Sequence, residues 1–182
     1  MAQRSGVCHG GESRTALGTD PASENVPGIV GLGAAAQLAG EILPTEMVRL
    51  AELRDRLENA AIARLDAVQV NGVRGGMHDG RFLRVPNTTN LHFDYVEGES
   101  LVIALDLKGV ACSLGAACAS GTVNPSHVLL AIGLSPQRAS GSLRISLGRQ
   151  NTAADVDALI EALVSVVERL RALSPQTPAG VR

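Results

Sequence analysis

The sequence predicts a small α/β or α+β layer in which helices cover a short sheet. Segments with apolar residues at three- and four-residue spacing alternate with short stretches of two-residue alternation. Clusters of Gly, Pro, Asn and Ser separate these segments. Hydrophobic residues make up 45% of the 182 residues, which is enough for a packed core. The predicted order is helix, helix, strand, strand, helix, strand, helix, strand, helix.

The amino-terminal third of the chain predicts a loop followed by two helices. Residues 1–24 are rich in Gly, Ser, Thr and Asp and have no apolar period. Asn25 is a suitable N-cap for a helix that continues to about Leu43, and Pro44 is expected to break it. Thr45 then begins a long amphipathic helix. Its apolar positions are Leu50, Leu53, Leu57, Ala61 and Leu65.

The middle of the chain predicts two strands around a turn, followed by buried segments. Residues 67–72 form a short strand, and a turn-rich hairpin or loop follows them. The second strand contains NLHFDY, which alternates in polarity. Glu99 and Ser100 open a helix that is apolar enough to be buried, and GVACSLG is expected to form a short buried strand.

The last part of the chain predicts helix, strand and helix. Pro125 occupies the first position of a helix that stops at Gly133. The next strand has Leu143, Ile145 and Leu147 on one face and Ser142, Arg144 and Ser146 on the other. Thr152 and Asp155 suit a capping box for the final helix, which runs to about Leu173.

These elements suggest a division of the chain into four parts. They are a loop at 1–24, helices at 25–66, a mixed region of strands and helices at 67–173 and a disordered tail at 174–182.

Charge and cysteine usage exclude several classes of protein. The net charge of −2 is not that of a general nucleic-acid or membrane-surface binder. No uninterrupted apolar run reaches the roughly 18 residues of a membrane span, and the first residues lack the apolar core of a secretory signal. Three cysteines without framework spacing predict a reducing, cytoplasmic setting.

The stretch CSLGAACASG contains two cysteines with different surroundings. Cys112 lies in an apolar segment, where a cysteine is most often a buried, structural residue. Cys118 is flanked by Ala and Ser, with glycines beyond, so its neighbours cannot shield it. Residue chemistry leaves open an incidental thiol, a reactive thiol and a metal site with His127, although the spacing matches no zinc pattern.

Three longer segments, in this order, carry a resemblance to a known family. They are ENVPGIVGLGAAAQLA, VPNTTNLHFDYVEGESLVIALDLKGVACS and the run from Gly109 through Cys118 to Arg149. From about Glu24 to Leu173 the sequence resembles the carboxy-terminal part of cysteine desulfurases, in the class-V aminotransferase family. The likeness is to the subgroup that serves iron–sulfur assembly and nitrogenase maturation.

The resemblance implies a fold, an activity and partners. The fold would be the carboxy-terminal part of an aspartate-aminotransferase-like, fold-type I enzyme dependent on pyridoxal phosphate. In such an enzyme, residues 1–24 would join a missing large cofactor domain, residues 25–66 would be linking helices, and residues 67–173 would be the small carboxy-terminal domain with the cysteine loop. Such enzymes convert L-cysteine to L-alanine as homodimers. Their sulfur passes to an acceptor or iron–sulfur scaffold protein. Neither nucleic acid nor membrane is expected as a partner.

The resemblance also implies roles for individual residues. Cys118 matches the nucleophile that becomes a persulfide and is a candidate transient iron–sulfur ligand; no resident metal is expected. Arg144 matches the arginine that binds the substrate α-carboxylate, for which a guanidinium is suited. Thr19 or Ser23 would bind the cofactor phosphate of the partner subunit. His127 is a weak candidate base that is expected on a helix surface.

The sequence departs from the family in its lysines. Of its 16 basic residues, 15 are arginine, and Lys108 is the only lysine. A Schiff base with the cofactor needs an amine, and Lys108 is expected in a surface turn. Two hypotheses follow: a truncated desulfurase chain, or a stand-alone fragment, sulfur carrier or interaction module without cofactor chemistry.

Overall fold

The computed structural model describes residues 24–75, 77–114 and 125–181, with only the backbone of Met77. The chain divides into two compact units, Met1–Pro44 and Thr45–Arg182. The candidate site residues that the structure describes all belong to the second unit. The predicted boundaries at residues 24, 66 and 173 stay a prediction.

The described residues form five helices and five strands. The helices are α1 (Val26–Arg64), α2 (Gly98–Asp106), α3 (His127–Ala131), α4 (Pro136–Ser140) and α5 (Ala153–Leu173). The strands are β1 (Val68–Val70), β2 (Met77–His78), β3 (Arg81–Phe82), β4 (Thr88–Phe93) and β5 (Ser142–Ser146).

The prediction that Pro44 separates two helices is wrong, because α1 continues through it. Proline removes one helical hydrogen bond, to the carbonyl of Gly40 four residues earlier. Both Gly40 and Pro44 are exposed, so water can satisfy that carbonyl. The flanking Ala, Leu, Glu and Arg residues are strong helix formers on both sides.

In the first unit, the part of α1 before Pro44 exposes its apolar side chains. Val30 is 64% exposed and Leu32 is 72% exposed. By length and composition alone, α1 contains a window apolar enough to cross a membrane. The sequence prediction that the chain has no membrane partner was based on the lack of a long uninterrupted apolar run, whereas this window is judged by its mean hydropathy. The absence of a membrane partner stays a prediction.

The second unit contains a three-stranded antiparallel sheet in the order β1-β4-β5. Strands β2 and β3 pair separately as a short hairpin. Leu143 and Ile145 of β5 are buried, while Arg144 and Ser146 are exposed, as the predicted alternation requires. The sheet therefore has one face on the core and one polar face.

One hydrophobic core joins the sheet to the helices. The second half of α1, helix α2 and helix α5 contribute fully or nearly fully buried aliphatic side chains, and β4 and β5 contribute the matching sheet residues. The completely buried members are Leu57, Ala61, Leu91, Phe93, Leu101, Leu105, Leu143, Leu163 and Val167. The predicted apolar face of the helix after Thr45 is thus confirmed.

Helix α2 is buried on one side only, which corrects the prediction of a buried helix. Leu101 and Leu105 are fully buried, whereas Ile103 is 56% exposed. The helix ends in a turn at Gly109, whose φ is +78°. The N–H of Val110 donates to the carbonyl of Leu105, which satisfies a carbonyl at the helix end.

The predicted strand GVACSLG is reduced to one β-bridge, between Ser113 and Arg144. Two backbone hydrogen bonds form it: Ser113 N–H to Arg144 O at 3.1 Å, and Arg144 N–H to Ser113 O at 2.6 Å. The bridge nevertheless places Ser113 on the outer edge of β5.

The end of the chain agrees closely with the sequence. Thr152 and Asp155 form the predicted capping box, and the bonds from Thr152 lower the pKa of the Asp155 carboxyl. Helix α5 ends at Leu173 as expected. Within 174–181, for which the sequence predicts disorder, turns form, including Thr177 N–H to Ser174 O at 3.2 Å.

Two buried side chains of α1 hold the segment that leads into β4. The guanidinium of Arg54, fully buried, donates to the carbonyl of Pro86 at 3.0 Å. Glu58, whose side chain is 2% exposed, forms an ion pair with Arg84. Arg84 also donates to the carbonyl of Val73 at 3.3 Å. These contacts fix residues 84–86 against α1.

We predict that Arg84→Met lowers the free energy of unfolding by about 3–5 kcal/mol, because it leaves the buried Glu58 carboxylate without its cation. The double variant Glu58→Leu/Arg84→Met should recover most of this loss, since neither charge remains buried. Urea unfolding followed by circular dichroism measures both.

Arg56→Met is the matched control for this ion pair. It breaks an ion pair with Asp157 in which both side chains are about half exposed, so it should cost about 1 kcal/mol or less. If Arg84→Met costs no more than Arg56→Met, the buried pair does not anchor the segment.

Candidate functional site

Arg144 lies at the centre of the polar face of the sheet. Its backbone pairs with Asn90 of β4 on one side and with Ser113 on the other. Its side chain is exposed, and its neighbours Leu143 and Ile145 are buried in the core. Arg144 thus projects a guanidinium from a backbone that is hydrogen-bonded along both edges.

A chain of polar side chains runs across this face beside Arg144. Asn71 Nδ2 donates to Asn90 Oδ1 at 2.6 Å and to Ser142 Oγ at 2.9 Å. Ser142 Oγ donates to the carbonyl of Arg138 at 2.7 Å. These bonds tie the end of β1, the middle of β4 and the start of β5 into one layer.

A cleft of about 460 Å³ opens on the same face. Arg84 and Arg144 contribute its positive charges, and Asn71, Thr88 and Ser146 contribute polar groups. Arg84 forms an ion pair with Glu58, and Arg144 is an exposed cation in the same lining. The cleft is therefore suited to a small anion such as a carboxylate.

Cys112 is half-buried against the core, just before the Ser113 bridge. Burial raises the pKa of its thiol, and the nearby Asp106 carboxylate raises that pKa further. The sequence predicts a buried strand residue; Cys112 instead lies outside the strands and keeps some exposure. Its thiol is poorly suited to act as a nucleophile, because less thiolate forms at neutral pH.

Lys108 is exposed in the turn after α2, as predicted. Lys108 is not among the residues that line the cleft containing Arg144. The described part of the chain therefore does not fit covalently bound pyridoxal phosphate.

Of the other predicted site residues, the structure describes His127 but not Cys118, Thr19 or Ser23. His127 is exposed at the start of α3, which confirms its predicted surface position. Cys118, Thr19 and Ser23 lie outside the described residues. Within the described ranges, no group of three or more His, Cys, Asp or Glu residues could hold a metal ion.

Sequence reasoning missed Asn71, Asn90 and Arg84. The alternation of β4 and β5 was a usable signal for which residues share the polar face. It could not supply the register that sets Asn90 opposite Arg144, because that register depends on pairing between segments more than 50 residues apart.

Comparison with known proteins places this architecture in a family. The Aminotransferase class-V family model matches residues 12–159. The chain is 44% identical over 169 residues to "Cysteine desulfurase IscS 1" of Archaeoglobus fulgidus, covering 93% of this chain and 41% of that protein. It is 46% identical over 153 residues to a cysteine desulfurase of Nostoc, covering 84% of this chain and 36% of that protein.

Solved structures agree with these sequence matches. A NifS-like protein from Rickettsia africae matches with a TM-score of 0.63 and 28% identity, covering 80% of this chain and 36% of that one. A second NifS-like protein matches with a TM-score of 0.64 and 26% identity, covering 81% of this chain and 35% of that one. The predicted fold-type I class is confirmed.

The chain spans about two fifths of the length of the curated relatives that it matches. The match nevertheless extends over most of its own residues, including the segments that carry the resemblance. We conclude that the chain belongs to the class-V aminotransferase family.

Proposed function

We propose that the chain forms the part of a cysteine desulfurase that binds the α-carboxylate of L-cysteine and carries its sulfur as a persulfide. The exposed guanidinium of Arg144 in the cleft is the observation that carries this proposal. The relatives named cysteine desulfurase support it. Sulfur would then pass to an acceptor or iron–sulfur scaffold protein, for cluster or other thio-cofactor assembly.

Arg144 has the chemistry and the support that carboxylate binding needs. A guanidinium presents two parallel N–H groups that match the two oxygens of a carboxylate. Backbone pairing on both edges of β5 limits how far the Cα of Arg144 can move. A site on a paired strand holds its ligand more precisely than a site on a loop.

Cys118 is the proposed persulfide carrier. The Ser113–Arg144 bridge brings the segment that leads to Cys118 beside the carboxylate-binding residue. Four residues lie between Ser113 and Cys118, and the five extended steps between their Cα atoms reach at most about 18 Å. A carrier cysteine must ionise to react, and the raised pKa of Cys112 argues against that residue.

Desulfurase chemistry needs a cofactor that this chain is not expected to bind covalently by itself. The class-V family and the cysteine desulfurase relatives imply dependence on pyridoxal phosphate. Because Lys108 is the only lysine and is exposed in a turn, we propose that the Schiff-base lysine lies outside these 182 residues. Thr19 or Ser23 stays the candidate ligand for the cofactor phosphate.

The position of Lys108 favours a second candidate function. The chain would be a stand-alone sulfur carrier or interaction module without cofactor chemistry. The two functions differ in whether L-alanine forms. For either function we propose a cytoplasmic protein without nucleic-acid or membrane partners, and for the desulfurase a homodimer, which sedimentation velocity can test.

We predict that L-cysteine with pyridoxal phosphate yields L-alanine and a persulfide on Cys118 when a segment that supplies the Schiff-base lysine is added to the chain. Cys118→Ala should abolish both products, because it removes the proposed carrier thiol. Cys112→Ala should retain them, because the pKa of that thiol is raised. Alanine is measured by chromatography, and persulfides are mapped by mass spectrometry after alkylation.

Each outcome selects between the two functions. Alanine that disappears in Cys118→Ala establishes the desulfurase. A chain that forms neither alanine nor persulfide when that segment is supplied is the stand-alone module. Alanine formation that persists in Cys118→Ala and fails in Cys112→Ala would contradict the assignment of the carrier.

We also predict that Cys112 reacts slowly with iodoacetamide near pH 8, since a raised pKa leaves less thiolate than in an ordinary cysteine. The alkylation rate of Cys112 should still increase with pH at values where the alkylation rate of an ordinary, exposed cysteine has become constant. Asp106→Asn should shift this profile to lower pH by removing the nearby negative charge. Rates are measured with Cys8 and Cys118 replaced by serine; an unchanged profile in Asp106→Asn would exclude that carboxylate as a cause.

A further inference from the structure

We propose that Asn90 is a second carboxylate-binding residue, whose side-chain NH₂ donates to the same α-carboxylate that Arg144 binds. This inference rests on the proposed function, because it assumes that Arg144 receives the carboxylate of an α-amino acid. It adds a neutral donor beside the cation.

The strand register places Asn90 next to Arg144. The two residues are directly opposite each other in the antiparallel pair of β4 and β5. Opposite residues have side chains on the same face, with Cβ atoms about 4.5–5.5 Å apart. Arg144 lines the cleft on that face, as does Asn71, which bonds to the Asn90 side chain.

The hydrogen bonds determine which way the amide of Asn90 faces. The carbonyl of Arg138 can only accept, so the Ser142 hydroxyl uses its proton there. Ser142 Oγ must then accept from Asn71, which therefore presents its NH₂ group. The same NH₂ group donates to Asn90, so Asn90 presents its oxygen to Asn71.

This chain of bonds leaves the NH₂ group of Asn90 for a ligand. Its oxygen is occupied by Asn71, and within the described residues its nitrogen has no hydrogen-bond acceptor. A buried side-chain nitrogen without a partner would count as an unsatisfied buried atom, and Asn90 Nδ2 is not one of these. The Asn90 amide nitrogen is therefore accessible to solvent. Asn90 therefore has only donors left to offer to a ligand.

Two adjacent donors suit a carboxylate better than a neutral ligand group. An ionised carboxylate has two oxygens with about four lone-pair sites. A guanidinium can use two of them in a parallel pair, which leaves sites for a third hydrogen bond from an amide. The hydrogen bond from Asn90 would thereby limit rotation of the carboxylate while it is bound to the Arg144 guanidinium.

The test measures the affinity of the purified chain for L-alanine, the proposed product, which carries the carboxylate without a thiol. Asn90→Leu removes the donors at similar size, and we expect its Kd to rise about tenfold or more, since hydrogen bonds to charged groups are strong. Asn90→Asp keeps the shape and the acceptor for Asn71 but adds a negative charge, so the loss should be greater. L-alaninol, which lacks the carboxylate, should not bind.

Asn59→Leu is the matched control, because it makes the same chemical change at an exposed residue of α1 that does not line the cleft; Asn59 accepts a hydrogen bond from Arg74, which is also outside the lining. Its Kd should equal that of the wild-type chain. Circular dichroism verifies that each variant is folded. The side-chain amide signal of Asn90 in ¹⁵N NMR should shift with L-alanine in the wild-type chain.

The outcomes separate this inference from the proposed function. Loss of binding in Arg144→Met, with wild-type affinity in both folded Asn90 variants and no shift of the amide signal, would overturn the role of Asn90 alone. Equal affinities of the wild-type chain and Arg144→Met, or no binding to either, would overturn both the carboxylate role of Arg144 and this inference.

Discussion

The antiparallel pairing of β4 with β5 is the constraint on which the rest of this structure depends. Its register buries Leu91 and Leu143 together and leaves Asn90 and Arg144 together on the polar face. Side chains alternate with a period of two, so a slip of one residue would exchange the faces. Packing of the core and assembly of the proposed carboxylate site are therefore consequences of one register.

Buried charges reinforce this arrangement at both ends of the sheet. Arg54 and Glu58 of α1 hold the segment entering β4. Arg171 of α5, 2% exposed, donates to the carbonyl of Asp94 just after β4, at 3.1 Å. Burial lowers the pKa of the Arg171 guanidinium, with Asp94 acting in the opposite direction. In each case a helix residue satisfies backbone or ionic groups that the core would otherwise leave unpaired.

Local patterns predicted the elements whose causes are local. The alternation around Ile145 and the capping pair Thr152 and Asp155 each depend on a few neighbouring residues, and both are confirmed. The break at Pro44 was wrong because an exposed proline can be accommodated by solvent and by helical flanks on both sides. The partners of Arg144 and Glu58 depend on distant segments, so no local pattern contains them.

The exposed first half of α1 has a calorimetric consequence. Residues such as Leu32 already contact solvent in the folded chain, so unfolding does not newly hydrate them. The heat capacity change of unfolding and the denaturant m-value both scale with newly exposed surface. Both quantities should consequently be smaller than 182 residues would ordinarily give, and any molecule that covers this helix would raise them without altering the core.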